Sequence, residues 1–241
     1  MKKTILLLAS IFLAHSSYSQ DDDVTFVTNT GLQSSVQSFI NSAPLSQGSG
    51  LWVRSAPTSS DILGSMYLFD NWTTQATLLT DTGKSFTITN LNYDTKTNRF
   101  VSKMGLDSVF VFNPTDLKEV LVNKKKYKRF PSIVNNFDFS YYNITARVKS
   151  AYILKESKKI LRDGVLNKLT QKKSKSKYIS SSKYYYYNNE KFTELVLKKK
   201  TVLALLDADK RKSVKKYAKK KSLSFKKDED LKEILNYYNK L

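Results

Sequence analysis

The side chains of this sequence that could do chemistry are carboxylates, tyrosines and amines. The chain has no cysteine, and its one histidine is His15. Beyond His15 the composition excludes Ser-His-Asp and Cys-His nucleophilic catalysis, and it also excludes the usual zinc and haem ligand sets. Any catalysis by the remaining chain would have to use Asp, Glu, Tyr, Lys or Ser side chains.

The carboxylates are spread over turns rather than gathered in one motif. Asp81, Asp94, Asp107 and Asp116 lie in or beside turn segments, where Asp hydrogen-bonds to the local backbone. Asp21–Asp23 lack the spacing of a calcium-binding loop, and the sequence has no glycine-rich phosphate loop. We therefore predict no catalytic, metal-binding or cofactor-binding residue, and we interpret the chain as non-enzymatic. The alternative is an extracytoplasmic hydrolase that acts on polysaccharide through carboxylates, although nothing in the sequence fixes a separation between two of them.

Lysine and arginine side chains form the second class of candidate, a surface that binds an anion. They are concentrated in a Lys/Ser segment, 171–177, and in the segment 210–221. Lysines near an anionic membrane surface each contribute about 1 kcal/mol, so a handful would give useful affinity at low salt. A solvated face that keeps the chain soluble is the competing interpretation. The candidate anion-binding or partner-binding residues are Lys172, Lys173, Lys175, Lys177, Lys210, Arg211, Lys212, Lys215, Lys216, Lys219, Lys220 and Lys221.

The run KYYYY at 183–187 could offer an aromatic surface to a sugar ring or to a partner edge. The candidate contacts are Tyr184, Tyr185, Tyr186 and Tyr187. If the segment is a strand, alternation places the first and third of these tyrosines on one side and the others on the opposite side. Packing within the fold is the favoured interpretation, because Tyr suits a half-buried strand.

The first nineteen residues have the layout of a secretory signal peptide. Two lysines precede an apolar run at 5–14, and Ser17 and Ser19 occupy the small-residue positions of a cleavage site. The run is about half as long as the roughly 20 residues that span a bilayer. We expect cleavage before Gln20 or Asp21, no transmembrane span afterwards, and export to the periplasm, the outer-membrane periphery or the cell exterior.

The formal charge is divided unequally along the chain. Residues 21–120 hold 6 Lys/Arg and 10 Asp/Glu, whereas residues 121–241 hold 33 Lys/Arg and 11 Asp/Glu. Because long-range attraction speeds encounters with anions, the expected partner is an acidic protein or an anionic envelope surface of lipid or polysaccharide. Export argues against nucleic acid. The predicted function is that of an accessory or interaction subunit in the periplasm or in an outer-membrane complex.

The elements that would carry these residues are strands followed by helices. From 61 to 197, short runs rich in β-branched and aromatic residues alternate with polar turns such as DTGK at 81–84. The segment 198–241 contains three helical patterns, and the last, DEDLKEILNYYNKL, has apolar residues at i, i+3, i+4 and i+7. The Ser-, Thr- and Asn-rich composition of residues 20–60 predicts a loosely ordered arm, with one short helix around Val36. The predicted fold class is α+β and mostly β, an antiparallel meander forming a sandwich or open barrel with the helical segment packed on it.

The chain resembles a family of secreted proteins common in Bacteroidota in the order of four motifs: GSMYLFDNW (64–72), LNYDTKTNRF (91–100), DSVFVFN (107–113) and the basic tail from Lys198 onward. The resemblance runs from about residue 64 to the end of the chain. It implies a signal peptide, a β-meander domain and a Lys-rich helical C-terminus. It implies no activity and no functional residue.

Overall fold

The computed structural model describes Val36 and the residues 50–54, 60–72, 74–103, 108–135 and 137–241. The expected signal peptide lies outside these residues, as do Asp21–Asp23, Asp107 and most of the N-terminal arm. Val36 itself is helical and fully buried, which agrees with the short helix predicted around it.

The described residues from 50 onward form fifteen strands, and three helices follow them. None of the helices in this described part of the chain is long and apolar enough to cross a membrane. The strands are β1 (Gly50–Arg54), β2 (Ile62–Leu63), β3 (Ala76–Thr80), β4 (Ser85–Ile88), β5 (Leu91–Asp94), β6 (Arg99–Lys103), β7 (Ser108–Phe112), β8 (Leu117–Val122), β9 (Lys125–Pro131), β10 (Phe139–Val148), β11 (Ala151–Arg162), β12 (Leu166–Asn167), β13 (Lys172–Lys173), β14 (Ser176–Asn188) and β15 (Lys191–Leu195). The helices are α1 (Lys199–Ala204), α2 (Arg211–Lys220) and α3 (Asp228–Tyr238).

Most strands belong to one large antiparallel sheet. It has the order β15-β14-β11-β10-β9-β8-β3-β4, and the short β2 runs parallel to β14 beside it. A second sheet has the order β1-β7-β6-β5, and β12 pairs with β13. The fold is therefore α+β and mostly β, as predicted. The predicted meander is interrupted once, because the chain leaves the large sheet after β4, builds β5 to β7, and returns at β8 beside β3.

The two larger sheets enclose the first buried cluster, the sandwich core. Strand alternation supplies it: Leu78, Val120 and Tyr141 come from the large sheet, and Phe100 and Phe110 come from the second sheet. The rings of Phe100 and Tyr141 meet edge-on with their centroids 5.0 Å apart. Each large apolar side chain buried in this way stabilises the fold by roughly 1.5–3 kcal/mol.

The three helices pack on the face of the large sheet that also carries the sandwich core, at positions farther along β10. A bulge separates Ile144 from Ala146, and beyond it Ala146 and Ile153 lie under the helices in a second cluster, the helical-layer core. The apolar stripe predicted for the last helix faces this cluster, which confirms that interpretation. Its members, all buried in the structure, are Leu231, Ile234, Leu235 and Tyr238.

The opposite face of the large sheet carries a third cluster, the aromatic cluster. It contains Phe130, Tyr142 and Tyr185, with Phe192 packed against it. The ring centroids of Phe130 on β9 and Phe192 on β15 are 6.5 Å apart, although β10, β11 and β14 lie between these strands. In a flat sheet the two strands would be separated by about 19 Å. The sheet therefore curls around the aromatic cluster, and it stays open because β15 and β4 are its two ends.

Two local predictions differ from the structure. Residues 50–54, predicted within the loosely ordered arm, form β1 and pair with β7 in the register Trp52 to Phe110. The segment 171–177, predicted as a loop, contains β13 and the start of β14. In both cases a long-range partner strand supplies backbone hydrogen bonds that the local composition does not indicate.

Candidate anion-binding surfaces

The structure divides the predicted basic residues into two separate groups. Lys172 to Lys177 lie at the outer end of the β11–β14 hairpin, and Lys210 to Lys221 lie on or beside α2. The inner part of β11 touches the helices, because Lys155 pairs with Asp228 of α3. Lys177 pairs across the hairpin with Arg162, seven residues beyond Lys155, which corresponds to about 23 Å along the strand. The two groups therefore do not form one continuous surface.

The first group lies on a projecting arm, which we define as residues 160–179. Strands β11 and β14 stay paired out to Arg162 and Lys177, and the β12–β13 pair extends the hairpin further. None of these twenty residues is buried. Three large apolar side chains nevertheless lie at the tip, where Val165 is 75% exposed, Leu166 51% and Leu169 95%. The arm thus presents apolar surface to solvent instead of contributing it to a core.

The charges of the arm are almost all positive. It carries one acidic residue, Asp163, and six basic ones: Arg162, Lys168, Lys172, Lys173, Lys175 and Lys177. Within the described chain none of these six forms an ion pair, and Lys175 donates a hydrogen bond to the carbonyl oxygen of Ser60 at 2.7 Å. Extended strands hold these amines beside the apolar tip, so charge and apolar surface occur together.

The second group lines a shallow groove on the helices, which we call the helical groove. Val214 and Ala218 turn one side of α2 into the helical-layer core, so its lysines must lie on the outer side. The floor of the groove is apolar, formed by Ala218, Leu223 and Phe225. Six lysines surround it: Lys199, Lys212, Lys215, Lys216, Lys219 and Lys226. In the part of the chain that the structure describes, none of the six forms an ion pair.

The other predicted residues near α2 do not line the groove. Lys210 lies 3.9 Å from Asp207 and over the ring of Tyr238. Arg211 donates hydrogen bonds to the carbonyl oxygens of Leu206 and Ala204, where it satisfies backbone acceptors at the end of α1. Lys220 and Lys221 are exposed. Lys210 and Arg211 thus join elements of the fold to one another, and their predicted role in anion binding stays a prediction.

The four tyrosines of the KYYYY run have the predicted alternation. Tyr184 and Tyr186 pack against the helical-layer core, and Tyr185 belongs to the aromatic cluster, with Tyr187 packed against that cluster. The Tyr184 hydroxyl donates to Asp228 at 2.8 Å, and the Tyr185 hydroxyl donates to Glu156 at 3.3 Å. Burial is the main cause that raises the pKa of all four phenols. The four rings therefore contact the clusters on the two faces of the sheet, in agreement with the packing interpretation. Tyr185 is buried.

Two of the carboxylates predicted to lie in turns have structural contacts in the described chain. Asp81 pairs with Arg129 at 2.8 Å, and Asp94 accepts hydrogen bonds from the backbone N–H groups of Lys96 and Thr97. Among the described residues, no group of three or more Asp, Glu, His or Cys side chains could hold a metal ion. The turn role predicted for Asp94 thus agrees with the geometry, whereas the carboxylate of Asp81 contacts a residue that is distant in sequence.

One basic site was missed by the sequence reasoning. It is a cleft of about 430 Å³ between the β8–β9 hairpin, the bulge of β10 and α3, and we call it the β10 cleft. Its basic residues are Lys124, Lys125, Lys126, Lys128, Arg147 and Lys232. The run NKKKYK at 123–128 was a visible signal, but its pattern indicated only a turn and a strand. Arg147 and Lys232 come from elements that are distant in sequence.

Comparison of the chain with known protein families, with curated proteins and with solved structures found no match. The geometry and charge of the arm, the helical groove and the β10 cleft are therefore the basis of the functional argument.

Proposed function

We propose that the chain is a non-enzymatic exported protein that attaches to an anionic envelope surface, with the arm as its contact to the lipid bilayer. One observation carries the proposal. Val165, Leu166 and Leu169 are exposed at the tip of a projecting hairpin whose charged residues are six cations and one carboxylate. Exposed apolar residues beside cations are typical of surfaces that meet a membrane interface.

The apolar and the cationic side chains of the arm would contribute to membrane binding in different ways. Apolar tip residues gain free energy when they enter the boundary between headgroups and acyl chains, while lysines keep their ammonium groups at the headgroups. Each lysine near an anionic surface contributes about 1 kcal/mol, so the six cations of the arm suffice for attachment at low salt. The proposed attachment is peripheral, because a single hairpin that carries six cations would leave unpaired backbone groups and charges in the hydrocarbon if it entered fully.

The envelope location is supported by the sequence. The first nineteen residues have the layout of a signal peptide, and the motif order resembles that of secreted proteins of Bacteroidota. The absence of cysteine and of any histidine beyond His15 favours binding over catalysis. The chain would then act as an accessory or interaction subunit at the periphery of a membrane.

The test is co-sedimentation of the exported form of the chain with vesicles of phosphatidylglycerol and phosphatidylcholine. We expect binding at about 50 mM salt that weakens by about 200 mM, because the Debye length shortens. Replacement of Leu166 and Leu169 by Ser should weaken binding about tenfold or more. Replacement of Lys172, Lys173, Lys175 and Lys177 by Gln should have a similar effect.

The matched control removes the same number of charges from the helical groove, by replacing Lys212, Lys215, Lys216 and Lys219 with Gln. This variant should keep most of its vesicle binding, because its arm is unchanged. Its net charge equals that of the arm variant, so a difference in binding between the two reports the position of the charges. Absence of binding at low salt, or equal losses in the two lysine variants, would contradict the role of the arm. Binding that depends on the lysines but not on the two leucines would contradict insertion of the tip.

The helical groove favours a second candidate function, the binding of an extended soluble anion such as an acidic polysaccharide or an acidic protein segment. The specific observation is an apolar floor surrounded by six lysines, none of which forms an ion pair with a described residue. Titration with polygalacturonate distinguishes the two functions. If the groove variant loses binding and the arm variant keeps it, the groove is the main partner surface and the order of the two functions is reversed.

A further inference from the structure

The β10 cleft has a shape that the local strand pairing explains. Strand β9 follows β10 only as far as the pair Tyr127 and Asn143. Beyond this pair β10 bulges between Ile144 and Ala146, and α3 lies on the other side of the gap, where Glu229 lines the cleft. A bulge bends a strand and redirects its side chains, and bulges recur beside binding sites for that reason. The cleft is thus built by three elements that meet at one irregular position.

The charge of the cleft is positive. Its six basic residues face three acidic ones, Glu119, Asp228 and Glu229. Two of these carboxylates are already paired, Glu119 with Lys126 at 3.0 Å and Asp228 with Lys155 at 2.7 Å. The other five cations of the cleft form no ion pair within the described chain. They are available to an anion that enters the cleft.

A buried hydroxyl group lies at the bulge, in the wall of the cleft. Thr145 lies at the bulge, is 4% exposed and lines the cleft, and its Oγ1 has no hydrogen-bond partner among the described residues. A buried polar atom without a partner is costly, so each such atom calls for an explanation. Because Oγ1 has almost no solvent-accessible surface, a ligand oxygen in the cleft would supply the missing hydrogen bond only after the Thr145 side chain rotates toward the cleft.

An aromatic ring completes the wall. Two cations lie over the ring of Tyr152, the Nζ of Lys128 and the Cζ of Arg147, each 5.4 Å from the ring centroid. These contacts hold the cations over the ring without neutralising them, because a ring carries no net charge. Two asparagines also line the cleft: Asn236 is exposed, and Asn143 is buried with its amide nitrogen donating to the carbonyl oxygen of Lys126 at 3.3 Å.

We infer that the β10 cleft binds a sugar-sized anionic ligand, one that carries a phosphate or a carboxylate together with hydroxyl groups. The volume suits a ligand of one or two sugar rings. The unpaired cations would bind the charged group, and Thr145 and the two asparagines would hydrogen-bond to hydroxyl groups. This site is separate from the arm and from the helical groove, so the inference does not depend on the proposed attachment to a membrane.

The test is isothermal titration calorimetry with glucose 6-phosphate, glucuronate, glucose and inorganic phosphate at low salt. We expect at least one of the two charged sugars to bind about tenfold or more tightly than both glucose and inorganic phosphate. Tighter binding of glucose 6-phosphate would identify a phosphate ligand, and tighter binding of glucuronate a carboxylate ligand. Charged sugars that bind no better than glucose, or no better than phosphate alone, would overturn the inference.

Two variants locate the binding in the cleft. Thr145→Val keeps the shape of the side chain and removes the hydroxyl, and it should weaken binding about five- to tenfold. Arg147→Gln, at an exposed residue, should weaken binding about tenfold without affecting folding. The matched control, Lys215→Gln, removes one charge from the helical groove and should leave the affinity within about twofold. A loss in the control as large as that in Arg147→Gln would overturn the assignment to this cleft.

Discussion

Burial sets the ionisation of the tyrosines inside the two sheet clusters. Tyr127 in the sandwich core and Tyr142 in the aromatic cluster have their pKa raised to about 12, with burial as the main cause. Burial also raises the pKa of Tyr93 and Tyr141 well above the ordinary value. The hydroxyl of Tyr141 donates to the carbonyl oxygen of Leu117 at 2.7 Å. A phenolate there would lose this bond and would be desolvated in the core, a cost that the charges of Arg129 and Arg99 offset only in part.

These pKa shifts predict that the protein loses stability in alkali. The unfolded chain releases its phenolic protons near pH 10, whereas the folded chain holds them to higher pH, so the unfolded state binds fewer protons there. The free energy of unfolding should be level below about pH 9 and fall above about pH 10, by up to about 1.4 kcal/mol per pH unit for each shifted tyrosine. Urea titrations at several pH values measure this slope. Equal phenolate absorbance of the native and the unfolded chain at about pH 11 would contradict the prediction.

Asp228 shows how much of a residue's role the sequence could reveal. Its place in the first turn of a helix was predictable, and a carboxylate there interacts favourably with the helix dipole. The structure adds two partners, Lys155 at 2.7 Å and the hydroxyl of Tyr184 at 2.8 Å, which join α3 to the large sheet. Burial tends to lower the pKa of Lys155, but the hydrogen bonds to Asp228 and Tyr184 outweigh it and the net pKa is raised. No pattern in the sequence relates these partners, which lie 73 and 44 residues from Asp228.

Local elements were predictable because local chemistry determines them. The turn of the β14–β15 hairpin was expected at NNE, and the structure has Asn189 and Glu190 there with positive φ, the backbone conformation that tight two-residue hairpins need. The stripe on α3 was predictable from spacing for the same reason. The order of the strands was not predictable, because β8 pairs with β3 although the three strands β5, β6 and β7 of the second sheet lie between them in the sequence. The arm and the β10 cleft depend on such long-range pairing, so their residues could be identified only in part.

The arm is an element whose geometry can be altered without touching a core. Gly164 permits a close approach of its two sides, since a Cβ there would collide with the carbonyl oxygen of Ser174. Gly164→Ala should therefore disrupt the β12–β13 pair and speed hydrogen exchange of the Ser174 amide, which donates to Val165 at 3.0 Å. The melting temperature should change by less than about 2 °C, because no arm residue is buried. Exchange measured by NMR checks the first effect, and a much larger fall in melting temperature would show that the tip supports the core.

At the scale of the whole molecule, one strand connects the two main cores. Strand β10 places Tyr141 in the sandwich core and Ala146 and Val148 in the helical-layer core, with the bulge between them. The basic surfaces lie outside both cores, on the arm, on the helices and in the cleft. Charge can therefore vary on these surfaces with little cost in stability, while β10 has to satisfy both layers at once.

This shared strand predicts that the sheets and the helices unfold together. Ile234 is fully buried in the helical-layer core, and Ile234→Ala should lower the free energy of unfolding by about 2–4 kcal/mol. Two signals should shift equally in urea: helical circular dichroism, and the fluorescence of Trp52 measured with Trp72 replaced by Phe. The ring centroid of Trp52 lies 5.1 Å from that of Phe110 in the sandwich core. The exposed neighbour Asn236→Ala should change stability by less than about 0.5 kcal/mol. If the helical signal moved to lower urea while the tryptophan signal stayed in place, β10 would not couple the two cores, and the helices would unfold as a separate unit.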